Sequence, residues 1–366
     1  MTAPSLEALA RRFVGAVDAM PNLVVEVGDV RVLVRADRHE LVEALRAYFG
    51  PWLHMHGKPP SGSDAKATIE VIAIEAAPSD FDVAFKDWPR DPGKVGRKEA
   101  IADIDGGRIV RKVRTGMHFL IGPAVRIAIG PCAANVNQVI NFVNAQVLNH
   151  YFERGFALCH SSGVVIGERG VAISGFSGGG KSTLALWLMS DGADFVSNDR
   201  ILVDSQQPRA RMIGVPKLPR INPGTLLANP ALAGILPSDR VQELQRLEPS
   251  ELWDIEEKYD VDIDRCYGPG HIRSAAPLDA FLVLSWQRQS DEPMRIDEVD
   301  LSERRDLIAA VRKPPGPFWI DSQGRAPSAP LEADDEAYLA ALAAVRVFEA
   351  KGRVDFAAAR AFLGAL

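Results

Sequence analysis

The eight residues from Gly175 to Ser182, GFSGGGKS, restrict the fold of this chain more than any other stretch. They fit the pattern G-x-x-x-x-G-K-[ST], in which a glycine-rich loop turns backbone N–H groups toward phosphate oxygens at the start of a helix. The flanks agree with that use. Val171 to Ser174 reads as a short buried strand and Lys181 to Met189 as a helix, so strand, loop and helix come in the required order. The expected class is α/β. The expected ligand is a nucleoside triphosphate held by Gly175, Ser177, Gly178, Gly179, Gly180, Lys181, Ser182 and Thr183.

The rest of the chain sets limits on partners. With 366 residues, 47% of them hydrophobic, it is long enough for two domains. A net charge of −6 gives no whole-chain attraction for nucleic acid or an anionic membrane. Cys132, Cys159 and Cys266 are far apart, odd in number and form no CxxC pair, which argues for a reducing cytoplasm and against structural zinc. No apolar run approaches the roughly 18 to 20 residues of a membrane span, and MTAPSLEALARRF lacks the apolar centre of a signal peptide. A cytoplasmic protein without membrane partners is expected. Homo-oligomer formation stays open.

Along the chain, apolar spacing predicts a helix over 5–19, a hairpin of Leu23–Val27 and Val30–Arg35, and a helix from Arg38 to Tyr48. KPPSGSD at 58–64 reads as a loop, Ala67–Ile74 as a strand, and 78–96 as a second loop. Four more strand signals fall between Ile101 and Ile129, so residues 1–130 read as an N-terminal α+β domain and 131–366 as a second domain. Arg111, Lys112 and Arg114 form a basic run, a solvated face or a surface for an acidic substrate. The stripe Val136, Val139, Ile140, Val143, Val147 and Leu148 predicts a helix over 133–154 with Asn137, Asn141 and Asn144 on another face.

Further on, Phe156–His160, Gly163–Ile166 and Ala193–Ser197 read as strands, with Ile201–Asp204 extended. Residues 206–224 read as a structured loop, Pro277–Trp286 as a strand, and 303–312 and 334–366 as helices, the last broken at Gly352.

Phosphoryl transfer is mostly positioning and charge neutralisation, which defines what else a site around the loop needs. Lys181 supplies positive charge to the β- and γ-phosphates, and Ser182 is placed to ligate Mg2+. Asp199 follows a buried strand, as a Walker-B-type acid does; the plainer reading is a strand-end turn residue. His160 ends a strand and is either a packed residue or a catalytic one. Lys217 and Arg220 could supply further cation to a phosphoryl group or could simply be solvated. Cys159 reads as core filling.

These residues, taken together, resemble a known family. Leu158-Cys-His160, the run Gly170 to Leu184, Gly192, and Val196-Ser-Asn-Asp199 look like the catalytic domain of HPr kinase/phosphorylase and its relatives, and more narrowly like the HprK-related kinase B proteins. The specific match covers about 158–204, with weaker similarity from about 133. The resemblance implies a P-loop kinase core of the HPr kinase and phosphoenolpyruvate carboxykinase type. It implies His160 as active-site histidine, Lys181 and Ser182 as phosphate and metal contacts, and Asn198-Asp199 at the position of paired aspartates. ATP and Mg2+ follow as cofactors, and a hydroxyl on a small molecule or protein as acceptor.

Two positions depart from the pattern. Asn198 replaces the first aspartate, and an amide is no general base, so Asp199 or His160 must serve. Thr183 replaces the glutamate that follows the loop serine in the HPr kinases, and their downstream substrate-binding signature is absent. A nucleotide-responsive module without transfer, or a simple NTPase, are the competing expectations.

Overall fold

The computed structural model describes residues 4–15, 19–53, 67–78, 81–90, 95–176, 178–206, 209–248, 251–252, 255, 257–332 and 334–366. It is a mixed α/β protein that divides into two units, Met1–Gly155 with Pro314–Glu332, and Phe156–Lys313 with Ala333–Leu366. The first division falls at 155/156 rather than 130/131. Side-chain contacts of the helix over 136–152 explain that placement.

The first unit is built on eight strands, β1 (Asn22–Val27), β2 (Val30–Ala36), β3 (Ala67–Glu75), β4 (Lys86–Asp87), β5 (Glu99–Ile104), β6 (Gly107–Lys112), β7 (His118–Ile121) and β8 (Arg126–Gly130). Their order is β1-β2-β3-β8-β7-β6-β5-β4, antiparallel except for the parallel β2/β3 and β3/β8 pairs. Alternation in β2 buries Val30, Val32, Val34 and Ala36, the period-2 pattern of a half-buried strand. Helix α1 (Leu6–Ala10) covers one face through Leu6 and Leu9, against Ile72, Ile109 and Leu120; it is shorter than the predicted 5–19, of which 16–18 lie outside the described residues. The predicted loop at 58–64 also lies outside them.

Helices α2 (His39–Phe49) and α3 (Val136–Phe152) belong to the same unit. Tyr151 of α3 donates its hydroxyl to Val27 O at 3.0 Å and accepts from the Asp29 N–H at 3.1 Å. Phe142 packs on Phe119 and on Phe318 of the returning segment, with centroids 4.9 and 5.4 Å away. Fully buried Arg108 donates to Pro317 O and Pro327 O and pairs with Asp103 at 2.6 Å. In the basic run, Lys112 is ion-paired with Glu99 and Arg111 lies over Phe85.

The second unit carries a six-stranded sheet in the order β12-β10-β11-β18-β20-β19. Its members are β10 (Ser162–Ile166), β11 (Arg169–Gly175), β12 (Asp194–Ser197), β18 (Ala280–Leu284), β19 (Arg295–Glu298) and β20 (Arg346–Lys351). β11, β18 and β20 run parallel and in register, so Gly175, Leu284 and Ala350 end level with one another. A four-stranded antiparallel sheet comprises β9 (Ala157–Cys159), β13 (Ile201–Asp204), β14 (Arg211–Gly214) and β17 (Ala275–Pro277). A short pair joins β15 (Arg220–Ile221) to β16 (Tyr259–Asp260). The helices are α4 (Lys181–Ser190), α5 (Pro223–Ala228), α6 (Ser238–Leu244), α7 (Ile263–Tyr267), α8 (Ile308–Val311), α9 (Asp335–Leu342) and α10 (Phe356–Ala365).

Both faces of the six-stranded sheet are covered. Val171, Ile173, Leu282 and Phe348 pack with Leu184 and Leu188 of α4 and Leu363 of α10. Ala172, Phe281, Val283 and Val347 point the other way, to β13, β14, α8 and α9. A strand buried on both sides reads as a continuous apolar run and loses its alternation. For that reason Arg346–Lys351, predicted as helix, is a strand. Within 206–224, predicted as a loop, β14 and β15 form, and β19 has no counterpart in the sequence reading. Among the described residues no helix is long and apolar enough to cross a membrane.

Candidate functional site

The glycine-rich loop lies between the end of β11 and the start of α4, at the carboxyl edge of the parallel strands, where open α/β sheets hold ligands. Two glycines are required by space. A Cβ on Gly175 would sit 2.9 Å from Leu284 Cβ of the neighbouring strand. Gly180 has φ 88°, and a Cβ there would meet Phe356 Cζ at 2.7 Å, so a larger residue is excluded by both backbone and neighbour. Trp286 fixes the loop from outside, its Nε1–H donating to Gly179 O at 2.8 Å. Ser177 lies outside the described residues.

Lys181 opens α4 and donates its ammonium to Gly175 O at 2.8 Å. Burial pulls its pKa down, and Lys313 and Lys258 add to this against the opposing charge of Asp199. Ser182 donates its hydroxyl to Asn198 Oδ1 at 2.7 Å, and Ser162 donates to the same oxygen at 3.0 Å. The buried Asn198 is therefore a double acceptor beside the loop serine. Thr183 is buried and hydrogen-bonded to Thr225 Oγ1 at 2.8 Å, which ties α4 to α5.

Asp199 follows β12 and turns the other way. With φ 67° it is the one non-glycine residue with positive φ among the described residues, a conformation that aspartate tolerates better than most and that still costs about 1 kcal/mol. The turn brings its carboxylate to His160 Nε2 at 2.8 Å, Lys313 Nζ at 3.3 Å, Lys217 Nζ at 3.6 Å and Arg200 Nε at 3.8 Å. Burial alone would raise its pKa. The His160 hydrogen bond and the charges of Lys313, Lys217 and His160 outweigh that and hold it far below the usual carboxylate range. Lys217 is pushed down to about 8, first by burial and then by Arg200 and Lys313, against the pull of Asp199.

His160 and Lys313 are positioned by one piece of backbone. His160 N–H donates to Val311 O at 2.6 Å, and Lys313 N–H donates to Tyr338 Oη at 3.0 Å, whose own proton goes to Leu158 O at 2.6 Å. Residues 311–313 thus run alongside β9, the strand that leads into His160. Burial raises the Cys159 thiol well above its ordinary pKa, consistent with core filling.

A cavity of about 460 Å3 is bounded by the loop and α4 start on one side and by His160, Asn198, Asp199 and Lys217 on the other. Arg220, Lys258 and Arg288 also line it; Arg220 is paired with Asp260 at 3.0 Å. A slightly larger cavity, about 480 Å3, lies beside Glu298–Ser302 and Leu342–Val347. Its lining sets Glu298 and Asp300 against one cation, Arg346, whereas Lys181, Lys217, Arg220, Lys258 and Arg288 line the first against Asp199 alone, so charge rather than size singles out the first as an anion site. Among the described residues no group of three or more His, Cys, Asp or Glu side chains gathers as a metal cage.

His160, Lys181, Ser182, Asn198, Asp199, Lys217 and Arg220 thus come together. Sequence reading missed Lys313, Lys258, Arg288 and Ser162. Lys313 is 114 positions from Asp199, and no local pattern links them.

No family model and no curated protein matches the chain. Among solved structures it is similar to the Hpr(Ser) kinase/phosphatase from Coxiella burnetii, at 12% identity over 57% of this chain and 87% of that one, with a TM-score of 0.27. A likeness of that extent is a similarity and carries nothing further about the site.

Proposed function

We propose that the protein is a P-loop kinase that transfers the γ-phosphoryl group of ATP to a hydroxyl of a small molecule or protein. One observation supports this above all: the His160–Asp199 pair faces the same cavity as the glycine-rich loop and Lys181. A loop alone argues for phosphate binding. A histidine and a carboxylate opposite it argue for handling a proton as well.

Loop N–H groups and Lys181 bind the phosphate chain. The donors suited to Mg2+ are hard oxygens, as that ion prefers: Ser182 Oγ, its partner Asn198 Oδ1, and the Asp199 carboxylate next in sequence. The ion, when bound, neutralises phosphate charge.

Asp199 is a weak base because Lys313, Lys217 and Arg200 surround it and His160 shares a hydrogen bond with it. His160 is the better proton acceptor. With Nε2–H donated to Asp199, Nδ1 carries the lone pair, and the carboxylate stabilises the imidazolium that forms. Lys217 and Lys313 add positive charge beside the transferring group.

The test is transfer of label from γ-labelled ATP with Mg2+ to size-fractionated small molecules and proteins from a cell extract. A labelled product that disappears with Lys181→Ala is expected. Release of inorganic phosphate with no labelled product would make it an NTPase, and tight ATP binding with neither would leave a nucleotide-responsive module.

A further inference from the structure

A second cavity, about 270 Å3, adjoins the first across the loop. The two share Gly178, Gly179, Gly180 and Arg288 as walls, but their chemistry differs. Where the first presents lysines, a histidine and a carboxylate, the second presents Trp286, Val354, Phe356 and two arginines. We propose that this second cavity binds the nucleoside of the phosphoryl donor, with the phosphate chain running over the loop into the first. The inference rests on the kinase reading and adds to it the end of the donor that the loop motif does not specify.

Position is the first argument. Trp286 and Arg288 follow the carboxyl end of β18, and Arg353 to Phe356 follow that of β20, the two strands parallel to β11. A nucleotide whose phosphates lie at the end of β11 has its base within reach of that same edge.

Rigidity is the second. The Trp286 and Phe356 rings meet edge to face, centroids 5.1 Å apart at 79°. Trp286 is held by its bond to Gly179 O, and Phe356 is seated against Gly180. Apolar walls fixed before binding cost little ordering when a ring enters.

The third is charge. The Arg353 guanidinium is exposed and makes no hydrogen bond or ion pair among the described residues. An arginine plane can stack on a base, and Arg288, common to both cavities, is placed for the phosphate nearest the ribose. No carboxylate or amide side chain lines this cavity among the described residues, so it recognises a ring face rather than a base edge. ATP and GTP should therefore bind alike.

Calorimetric titration of the full chain with ATP, GTP and inorganic tripolyphosphate, each with Mg2+, tests this. Wild type should bind ATP about tenfold or more tighter than tripolyphosphate, the size of one stacked base, with GTP within about threefold of ATP. Arg353→Ala, and Val354→Trp to fill the cavity, should bring ATP to the tripolyphosphate level and leave tripolyphosphate binding unchanged. Tight ATP binding by both variants would overturn the nucleoside assignment while leaving the kinase reading intact. Equal loss of ATP and tripolyphosphate would also overturn it, because the residues would then act only through the loop. Wild type that binds neither ligand would overturn the kinase reading itself.

Discussion

Strand β12 carries an aspartate–histidine pair at each end, and the two pairs differ in backbone, partners and surroundings. At its start, Asp194 sits in extended backbone and pairs with His271 Nδ1 at 2.9 Å and Arg273 Nε at 2.7 Å. Past its end, Asp199 sits in the left-handed region and pairs with His160 at 2.8 Å, with lysines at 3.3 and 3.6 Å. Burial is outweighed by hydrogen bonds at both, so both carboxyls fall below their ordinary pKa. Only Asp199 lines the cavity beside the glycine-rich loop. A depressed carboxylate beside a histidine is thus no site by itself. Strained backbone, loosely held cations and an adjoining cavity distinguish the one that can act.

Replacing each aspartate by asparagine tests that distinction most severely. Asp199→Asn keeps a residue that tolerates positive φ but removes the charge that orients His160, and phosphoryl transfer should fall about 10^3-fold. Asp194→Asn should leave transfer within about twofold and lower stability by about 1–2 kcal/mol. The sign follows from its depressed pKa: its contribution is complete above the ordinary 3.8 and disappears as pH falls through the folded value. Acid unfolding curves of this variant should therefore converge with wild type well below pH 4. Equal losses of transfer in the two variants would erase the distinction.

The histidines should divide in the same way with smaller effect. His160→Gln is expected to lower transfer about 10^2-fold, within the usual range for a general base. His271→Gln should leave it unchanged. A single-turnover measurement at saturating ATP separates the two.

Much of the Asp199 end was legible in the sequence, and the reason is locality. The loop, its strand and helix, His160 and Asn198-Asp199 all fall between 158 and 204, where short strands follow one another and spacing carries meaning. Lys313 arrives from a distant segment held by Tyr338, and Lys258 and Arg288 from loops, so nothing in their own neighbourhoods marks them. Asn198 was read as a missing acid. Its role as acceptor for Ser182 and Ser162 needed coordinates, because an amide's use depends on what points at it. Burial on both faces hid β20 in the same way that non-local packing hid the return of 314–332 to the first unit.

Two lysines stand beside Asp199 where Asp194 has none among the described residues, and they sharpen the contrast through pH. Lys217 titrates at about 8, so kcat/KM should drop about tenfold between pH 7 and 9.5 as its charge is lost. Lys217→Arg should keep the profile within about threefold over that range. Linkage runs the opposite way for stability. The folded value lies below the ordinary 10.5, so the unfolded chain binds more protons between about 8 and 10.5 and stability rises with pH there. A profile in Lys217→Arg that still falls with wild type would assign the alkaline limb to another group.

The smallest effect belongs to the other end. Arg273 is 57% exposed, and its pairing with Asp194 is screened by solvent. Arg273→Lys gives up the guanidinium fork for a point charge, which at an exposed pair should cost about 0.5 kcal/mol or less. Transfer should stay within about twofold, because residues 271–273 hydrogen-bond to Phe195 through backbone groups that the substitution leaves in place. Chemical denaturation and the labelled-ATP assay measured on one preparation check both statements. A tenfold loss of transfer at unchanged stability would mean that the Asp194 end reaches the site along β12. The two pairs would then be parts of one device rather than a brace and a reactive group.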